Sequence, residues 1–482
     1  MESKDNNSNQ DTHHRISPVD NSITWTGDWA SPTEIESAMD RAKGAFFEWS
    51  RTSLEERTAI ARAFASFLGN NRVDIAKTIT LESGKPLWES DLEVTTSILK
   101  VDNAIDAIRS RRWITRDLTN NPASVIRYRP LGPMIVLGPY NLPLHLPGAH
   151  IVPALLAGNT ILFKPSEKTP AVGDWIARAW RWAQLPEGVL ECIHGAVEQA
   201  KRAVSMPQTA GVLFTGSYHA GVQIHKQLAG RPECLLALEM GGNNPLVVDR
   251  IHNPKAAIAN IIQSAYITSG QRCTCARRLF VVNHPENRGF LDDLSRSIAQ
   301  ISVANPLIHP QPFMGTLVSN QAAQSILDAQ SDLKSHGAVV LNEAMIVGDN
   351  HAMLSPGLIQ SKAVSTSDEE VFGPLAIAHV VNDLDEAIEM ANRSKYGLAA
   401  GLLSDDRAAF EHFASHVRAG IINWNAPTTG ASGKLPFGGI GASGNHRPSG
   451  SFAADYCSYP VASIENQELV MSSNLPPGLE RI

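Results

Sequence analysis

Two short runs carry residue types that could act together on a carbonyl carbon. One is Glu239-Met240-Gly241-Gly242-Asn243-Asn244. The other is Gly270-Gln271-Arg272-Cys273-Thr274-Cys275, and thirty-four residues separate Glu239 from Cys273. A thiolate is a strong nucleophile toward carbonyl carbon, provided its pKa is brought toward neutrality, for which a helix N-terminus near Cys273 would serve. A free Cys is most often a buried structural residue, but the Gly-Gln-x-Cys setting favours the nucleophile. Cys275 is the weaker candidate, either a bystander or a trap for Cys273 under oxidation. A metal reading of Cys-x-Cys lacks a second Cys or His pair at ligand spacing, so no metal is expected. A carboxylate of raised pKa beside mobile glycines, as at Glu239, suits the deprotonation of a water that cleaves an acyl thioester. The bland alternative is a salt-bridged strand-end Glu. When a thiolate adds to an aldehyde the oxygen becomes an oxyanion. The side-chain amide of Asn141, in Gly138-Pro139-Tyr140-Asn141-Leu142-Pro143, and the backbone N–H of Cys273 could receive it. Otherwise Asn141 is a turn residue between prolines. A further acid stands in Glu370-Val371-Phe372-Gly373-Pro374.

Two other blocks read as nucleotide contacts. Lys164-Pro165-Ser166-Glu167 follows an apolar run, and a Lys and a Glu there can hold the ribose hydroxyls of an adenosine. Phe214-Thr215-Gly216-Ser217 follows another, with Gly221 a helical turn on. Small residues at such a place let a helix N-terminus approach a pyrophosphate. Gly439-Ile440-Gly441-Ala442-Ser443-Gly444 matches G-x-G-x-x-G, but no strand precedes it and Asn445-His446-Arg447-Pro448 cannot open a helix cleanly, so it is set aside.

These residues need elements to hold them. From Leu54 the pattern is helical, with Ile60, Phe64, Phe67 and Leu68 on one face, and a second helix near Val73 to Leu81 stops at Gly84. Ser124 to Arg129 alternates as an exposed strand does, and Met134 to Leu137 reads as a buried one. Apolar runs recur at Thr160–Phe163, Gly211–Phe214, Leu235–Leu238 and Leu246–Val248. A second series runs through Leu279–Val282, Val339–Leu341, Leu375–Val381, Leu402–Leu403 and Ile421–Trp424. Such alternation predicts α/β lobes with parallel sheets covered on both faces, the second lobe beginning near Glu239. Ala453 to Ile464 reads as a late strand.

Composition narrows the class. The chain has 482 residues, 43% hydrophobic and 18% charged, with net charge −7, which is long enough for two lobes. The acidic balance gives no electrostatic reason to expect nucleic acid. Five cysteines in so long a chain are no disulfide framework and fit a reducing, cytoplasmic setting. No signal peptide is read at the polar start. The most apolar stretch, Ile151 to Phe163, is too interrupted to span a bilayer.

From about Pro18 to about Leu479 the blocks above, in this order, closely resemble the aldehyde dehydrogenase superfamily. The resemblance implies a Rossmann-like cofactor lobe (18–114 and 132–238), a catalytic lobe (239–447), and a small oligomerisation sheet from 115–131 and 448–482. A disordered polar tail of residues 1–17 replaces the family's N-terminal hairpin. It also implies Cys273 as nucleophile, Glu239 as base, Asn141 in the oxyanion hole, Glu370 on the nicotinamide ribose and Phe372 near the nicotinamide, whose bound positive charge would help lower the pKa of Cys273. Lys164, Glu167, Gly216, Ser217 and Gly221 complete the NAD site, and the acid at Glu167 predicts NAD over NADP. The partners implied are a small aldehyde and further copies of the chain, as a homodimer or homotetramer. Pro436 to Gly444 becomes a loop at the substrate entrance.

Several stretches resemble one branch, the N-succinylglutamate 5-semialdehyde dehydrogenases of arginine breakdown: Leu238–Leu246, Gln271–Arg278, Gly438–Ser449 and Ala453–Cys457. Leu142 and Leu144 stand where that branch usually has Phe and Gly. A substrate with two carboxylates calls for fixed positive charge, which Arg272, His446 and Arg447 could supply. A sibling dehydrogenase for another acidic or aromatic aldehyde shares these features. A Cys amidase or acyltransferase would need Cys273, an oxyanion hole and a base but not Lys164, Glu167 or Glu370. A non-catalytic scaffold would need none of them.

Overall fold

The computed structural model describes residues 12–111, 115–117, 123–361, 368–469, 471 and 475–479. Most of the anticipated polar tail (residues 1–11), residues 118–122 of the first oligomerisation segment and parts of the C-terminal tail lie outside them.

Two parallel sheets organise the chain. The first has five strands in the spatial order Leu190–Cys192, Thr160–Lys164, Pro133–Leu137, Gly211–Gly216, Leu235–Met240, all parallel. The chain starts at the centre, works outward to one edge, then returns to build the other. The reversal falls between Pro133–Leu137 and Gly211–Gly216, and a crevice opens at the carboxyl ends of the strands at such a switch point. Pro133–Leu137 and Thr160–Lys164 are buried at every position, as strands covered on both faces must be. Apolar clusters fill both sides, one of them containing Phe64, Ile105, Leu155 and Trp180, the other Met39, Leu162 and Val212.

The second sheet has seven strands in the order Val339–Asn342, Gly357–Gln360, Leu375–Val381, Ala276–Val282, Asn244–Val248, Ala399–Leu403, Ile421–Trp424. Only the edge strand Val339–Asn342 is antiparallel. Leu246–Val248, grouped above with the first series, belongs here. A third, antiparallel sheet joins Ser458–Glu465, Ala123–Pro130 and Thr115–Asp117.

The helices of the N-terminal quarter have sequence-encoded ends. Ser31 and Glu34, and Ser53 and Glu56, form capping boxes for the helices Pro32–Trp49 and Leu54–Asn70, which satisfies N–H groups that the first turn leaves orphaned. Phe64, Phe67 and Leu68 are buried as their spacing predicts. The next helix stops at Gly84, whose φ is +84°. After it comes the longest helix, Leu87–Arg111, whose buried face reaches the site.

Two expectations are corrected. His13–Ile16 pairs with Ile23–Gly27 as an antiparallel hairpin, so the end of the supposed polar tail is ordered. Thr24 donates to the buried Glu82 carboxylate and Arg15 to the Glu82 and Val318 carbonyls, and these long-range partners fix a hairpin that composition alone reads as disordered. Ala453–Tyr456 is a short helix, and the late strand begins only at Ser458.

Candidate active site

Cys273 sits where two cavities meet. One is a groove of about 720 Å³ at the switch point of the first sheet. It is lined by the turn Gly138–Asn141, by Gly216, Ser217 and Glu239, and by Glu370 and Phe372. The other, about 330 Å³, is lined by the Leu87–Arg111 helix, by Leu142 and His145, and by Phe437, Ser449 and Gly450. Cys273 and Leu146 alone belong to both.

Cys273, the candidate nucleophile, does not lie at a helix N-terminus, contrary to expectation. It occupies a turn between a one-turn helix, Ile267–Gly270, and the strand Ala276–Val282. The Ile267–Gly270 segment before that turn is strained. Thr268 and Ser269 hold φ of 56° and 50°, and Gly270 follows at 72°. Left-handed backbone costs a non-glycine residue roughly 1–3 kcal/mol, so the surroundings must hold it. The buried Glu89 carboxylate accepts from the Thr268 N–H at 3.0 Å, the Thr268 hydroxyl at 2.5 Å and the Arg272 guanidinium at 2.6 Å. Beyond the Cys, Asn244 Nδ2 donates to the carbonyls of Cys273 and Cys275 at 2.7 and 2.8 Å. Gly270 approaches Gly373 so closely that a Cβ would strike its carbonyl.

The same long helix holds the other wall. Glu93, one turn after Glu89, accepts from the N–H groups of Leu144 and His145 at 2.9 and 3.0 Å, which caps the helix His145–Ala157. Lys85 pairs with Glu93 and donates to the Asn141 carbonyl at 3.0 Å. Asn141 is buried and gives one amide N–H to the Gln271 carbonyl at 2.9 Å, leaving the other for a ligand oxygen. Glu89 thus positions the nucleophile and Glu93 the amide that would receive the oxyanion.

Burial and the nearby carboxylates of Glu239 and Glu370 push the Cys273 thiol well up, with Arg272 opposing. Burial likewise raises Glu239 to about 7, against the hydroxyls of Ser449 and Thr215 and the charge of Lys100. Its Oε2 accepts from Ser449 at 3.2 Å and Thr215 at 3.4 Å, while its buried Oε1 has no hydrogen-bond partner among the described residues. Thr215 is joined in turn to His150 Nε2 at 3.0 Å, and His150 Nδ1 to the Tyr456 hydroxyl at 3.1 Å. Burial lowers His150 to about 4, so this chain carries no charge at neutral pH. Glu370 is raised to about 7 by burial, with Arg277 and the Gly242 N–H opposing. Its Oε1 likewise has no hydrogen bond among the described residues, the Arg277 guanidinium standing 3.8 Å away, and a Cβ on Gly241 would collide with its carboxylate.

The structure brings Cys273, Glu239, Asn141, Gly216, Ser217, Glu370 and Phe372 to one groove. Lys164 and Glu167 stand one strand over, outside its immediate lining, with Lys164 donating to the carbonyls of Pro165 and Gly195. Gly221 faces the Met240 side chain and permits close packing of the helix Tyr218–Leu228 on the sheet. Two substrate expectations are corrected. Arg272 reaches the smaller cavity, but its guanidinium is held by Glu89 and Thr268. His446 and Arg447 are exposed and outside the lining of that cavity, because His446 takes a left-handed φ of 64° and the chain turns away. Arg277 and Arg278 are buried supports that donate to the carbonyls of Gly373 and Met390. Sequence reasoning missed Glu89, Glu93, Lys100, Asn244 and Ser449. The first three are helix residues with no motif, and only their spacing on one face of the helix Leu87–Arg111 signals them.

The comparisons with known proteins agree with this geometry. A family model described as the aldehyde dehydrogenase family matches residues 5–460. The chain belongs to that family. Among solved structures it is similar to the P. syringae AldA indole-3-acetaldehyde dehydrogenase, a mutant in complex with NAD+ and IAA, at 26% identity and a TM-score of 0.88, over 94% of this chain and 92% of that one. The aldehyde dehydrogenase KauB from Pseudomonas aeruginosa gives 26% and 0.89 over the same shares. An NAD-dependent aldehyde dehydrogenase from Sinorhizobium meliloti, at 24% identity and a TM-score of 0.90 over 96% and 93%, shares the fold. No helix among the described residues of this family member is long and apolar enough to cross a membrane.

Proposed function

We propose that this aldehyde dehydrogenase oxidises N-succinyl-L-glutamate 5-semialdehyde to N-succinyl-L-glutamate with NAD, in the succinyltransferase route of arginine breakdown. The observation that carries the reaction is the convergence of Cys273, Asn141 and Glu239 on one groove, with Cys273 also lining the smaller cavity. Resemblance of the blocks at 238–246, 271–278, 438–449 and 453–457 supports the substrate, as does a smaller cavity that presents Lys100.

The groove fits a dinucleotide. Its orphaned Glu370 Oε1 is an acceptor suited to a ribose hydroxyl, and the N-terminus of the helix Tyr218–Leu228, capped by Ser217, suits a pyrophosphate. Lys164 and Glu167 would hold the adenosine ribose and Phe372 would flank the nicotinamide. When bound, NAD supplies a hydride acceptor beside Cys273 and a positive charge that offsets the two carboxylates raising the thiol. The Cys273 thiolate adds to the aldehyde carbon, and the carbonyl oxygen takes the negative charge. The free N–H of Asn141 and the backbone N–H of Cys273 stabilise that oxyanion. Loss of hydride leaves a thioester on Cys273. Glu239, ionised above about pH 7, takes a proton from water, which attacks the thioester carbon. The C–S bond breaks, the carboxylic acid leaves and the thiol is regenerated.

Residues 18–114 and 132–238 form the cofactor lobe in this reading, and 239–447 the catalytic lobe. The Ser458–Glu465 and Ala123–Pro130 strands, which expose Ile126, Tyr128, Tyr459 and Ile464, serve assembly into a homodimer or homotetramer. The test is a panel of acidic, aromatic and aliphatic aldehydes assayed by NADH formation. The succinylated semialdehyde should give the highest kcat/KM. A higher value for an aromatic aldehyde such as indole-3-acetaldehyde would replace the substrate assignment.

A further inference from the structure

The charges around the smaller cavity do not balance, and the imbalance sits on one side chain. Three cations stand around His145, whose ring is shifted down by burial and then by Lys100, Arg272 and Lys85. Two of them are spoken for. Arg272 is held by Glu89 at 2.6 Å, and Lys85 is paired with Glu93. The third, Lys100, is only 7% exposed, yet among the described residues it has neither a carboxylate within 4.0 Å nor a hydrogen bond. It lines the same cavity as Cys273, with Asn103, Thr96 and the entrance loop around it. That loop passes overhead at Gly433, where a Cβ would lie 3.8 Å from the ammonium and 2.7 Å from the Asn103 amide.

The helix explains the pattern. Glu89, Glu93 and Lys100 fall four and seven residues apart along Leu87–Arg111, hence on one face. The two acids point to the turns that hold the nucleophile and Asn141. The Lys, two turns further on, faces the cavity with nothing to neutralise it at contact distance. The acid that acts on it at longer range is Glu239, whose carboxylate already accepts from Ser449 and Thr215. Burial of most of the side chain without an ionic partner is costly for an ammonium, and Lys100 Nζ keeps access to the cavity, where a ligand's charge can complete it.

We propose that Lys100 is the anion-recognising residue of the aldehyde cavity: its ammonium receives a carboxylate that the substrate carries away from its aldehyde end. The inference rests on the acidic-aldehyde reading above and deepens it, replacing Arg272, His446 and Arg447 by a group that has both the burial and the free charge for the task. Carboxylate capture by a buried ammonium selects acidic aldehydes through affinity, and it does so without touching the reacting carbon.

The test compares wild type, Lys100→Met and Lys100→Arg on the succinylated semialdehyde and on hexanal, with NAD saturating. The quantity read is the ratio of kcat/KM for the two aldehydes. Any change in Glu239 caused by losing the nearby charge affects both substrates and cancels in that ratio. In wild type the ratio should favour the acid. Lys100→Met should lower it by about 10- to 100-fold, the scale of one lost charged hydrogen bond, with the loss in KM. Lys100→Arg should recover most of it. Lys434→Met, which removes an exposed cation of the same loop, should leave the ratio within about twofold, as expected for a screened surface charge. If Lys100→Met keeps the wild-type ratio, Lys100 is not the anchor and the acidic-aldehyde reading stands without it. If wild type shows no preference for the acid, that reading fails first and takes the anchor with it. Should Lys100→Met not fold, wild type alone decides: succinate should inhibit competitively against the acidic aldehyde, and no inhibition at concentrations far above the substrate KM would overturn the proposal.

Discussion

The two cavities that meet at Cys273 are built in opposite ways. The larger groove is made from strand ends. Gly138–Asn141, Gly216–Ser217 and Glu239–Gly241 each continue a buried strand of one parallel sheet. It carries acids, with Glu239, Glu369 and Glu370 in its lining. The smaller cavity is made from the helices Leu87–Arg111 and His145–Ala157 with the loops around them, and it sets Lys100 and Arg272 beside Glu89 and Glu93. In the proposed reading the difference separates reaction from selectivity. Groups that serve the reacting carbon stand on the rigid sheet, where a one-residue motif fixes a position. Groups that meet the rest of the substrate come from scattered helix and loop positions, where change is cheaper.

That division predicts how substitutions sort. Changes on the groove side should lower kcat, and changes on the cavity side should raise KM. The largest effect belongs to the junction. Cys273→Ala should reduce NADH formation by on the order of ten-thousandfold or more, while NAD still binds, as read from tryptophan fluorescence. Cys275→Ala should leave most activity, since Cys275 is fully buried with its sulfur toward the Ile267 carbonyl. The reverse pattern would move the nucleophile two residues along.

Next is Glu239→Gln. Steady turnover should fall by about a hundred- to ten-thousandfold, but a first burst of NADH should survive in single-turnover mixing. Loss of the burst would assign Glu239 to the thiol and not to the deacylating water. In wild type, kcat should rise with pH through about 7, because only the ionised carboxylate can accept the proton. That limb should vanish in the Gln variant.

Asn244→Ala tests the support that both cavities share. It removes two donors from buried carbonyls of the nucleophile turn, which should destabilise the protein by about 2–4 kcal/mol. It should lower kcat/KM for acidic and neutral aldehydes alike, measured beside thermal melting. A selective loss on one substrate would show that the turn belongs to the cavity.

Ser449→Ala should have the smallest effect and sharpens the division most. Ser449 lines the cavity, yet its hydroxyl donates to Glu239. That bond favours the ionised carboxylate, so its removal should raise the pKa and move the rising limb of the pH profile to higher pH, with little change in KM. A change in KM with no shift of the limb would place Ser449 on the substrate side.

The same contrast explains what could be read from the chain. Cys273, Glu239 and Asn141 were legible because each lies in a contiguous run whose glycines or prolines announce a strand end. Phe372 and Glu370 were legible for the same reason. Lys100 was not, since a Lys at a helical position reads as solvated surface, and only the packing of Leu87–Arg111 against both site turns shows it buried. Arg272 misled in the opposite sense. Its place beside the nucleophile suggested substrate, but its partner Glu89 is 183 residues away in sequence. The hairpin at His13–Ile16 was hidden likewise, because its anchors at Glu82 and Val318 are distant.

The central claim is a covalent acyl intermediate on Cys273 that Glu239 clears. Mass spectrometry tests it directly. The Glu239→Gln variant, mixed with NAD and aldehyde and quenched during the slow phase, should gain the mass of one acyl group, located by peptide analysis on Cys273. An unmodified protein after the NADH burst, or an acyl group on Cys275, would contradict the account.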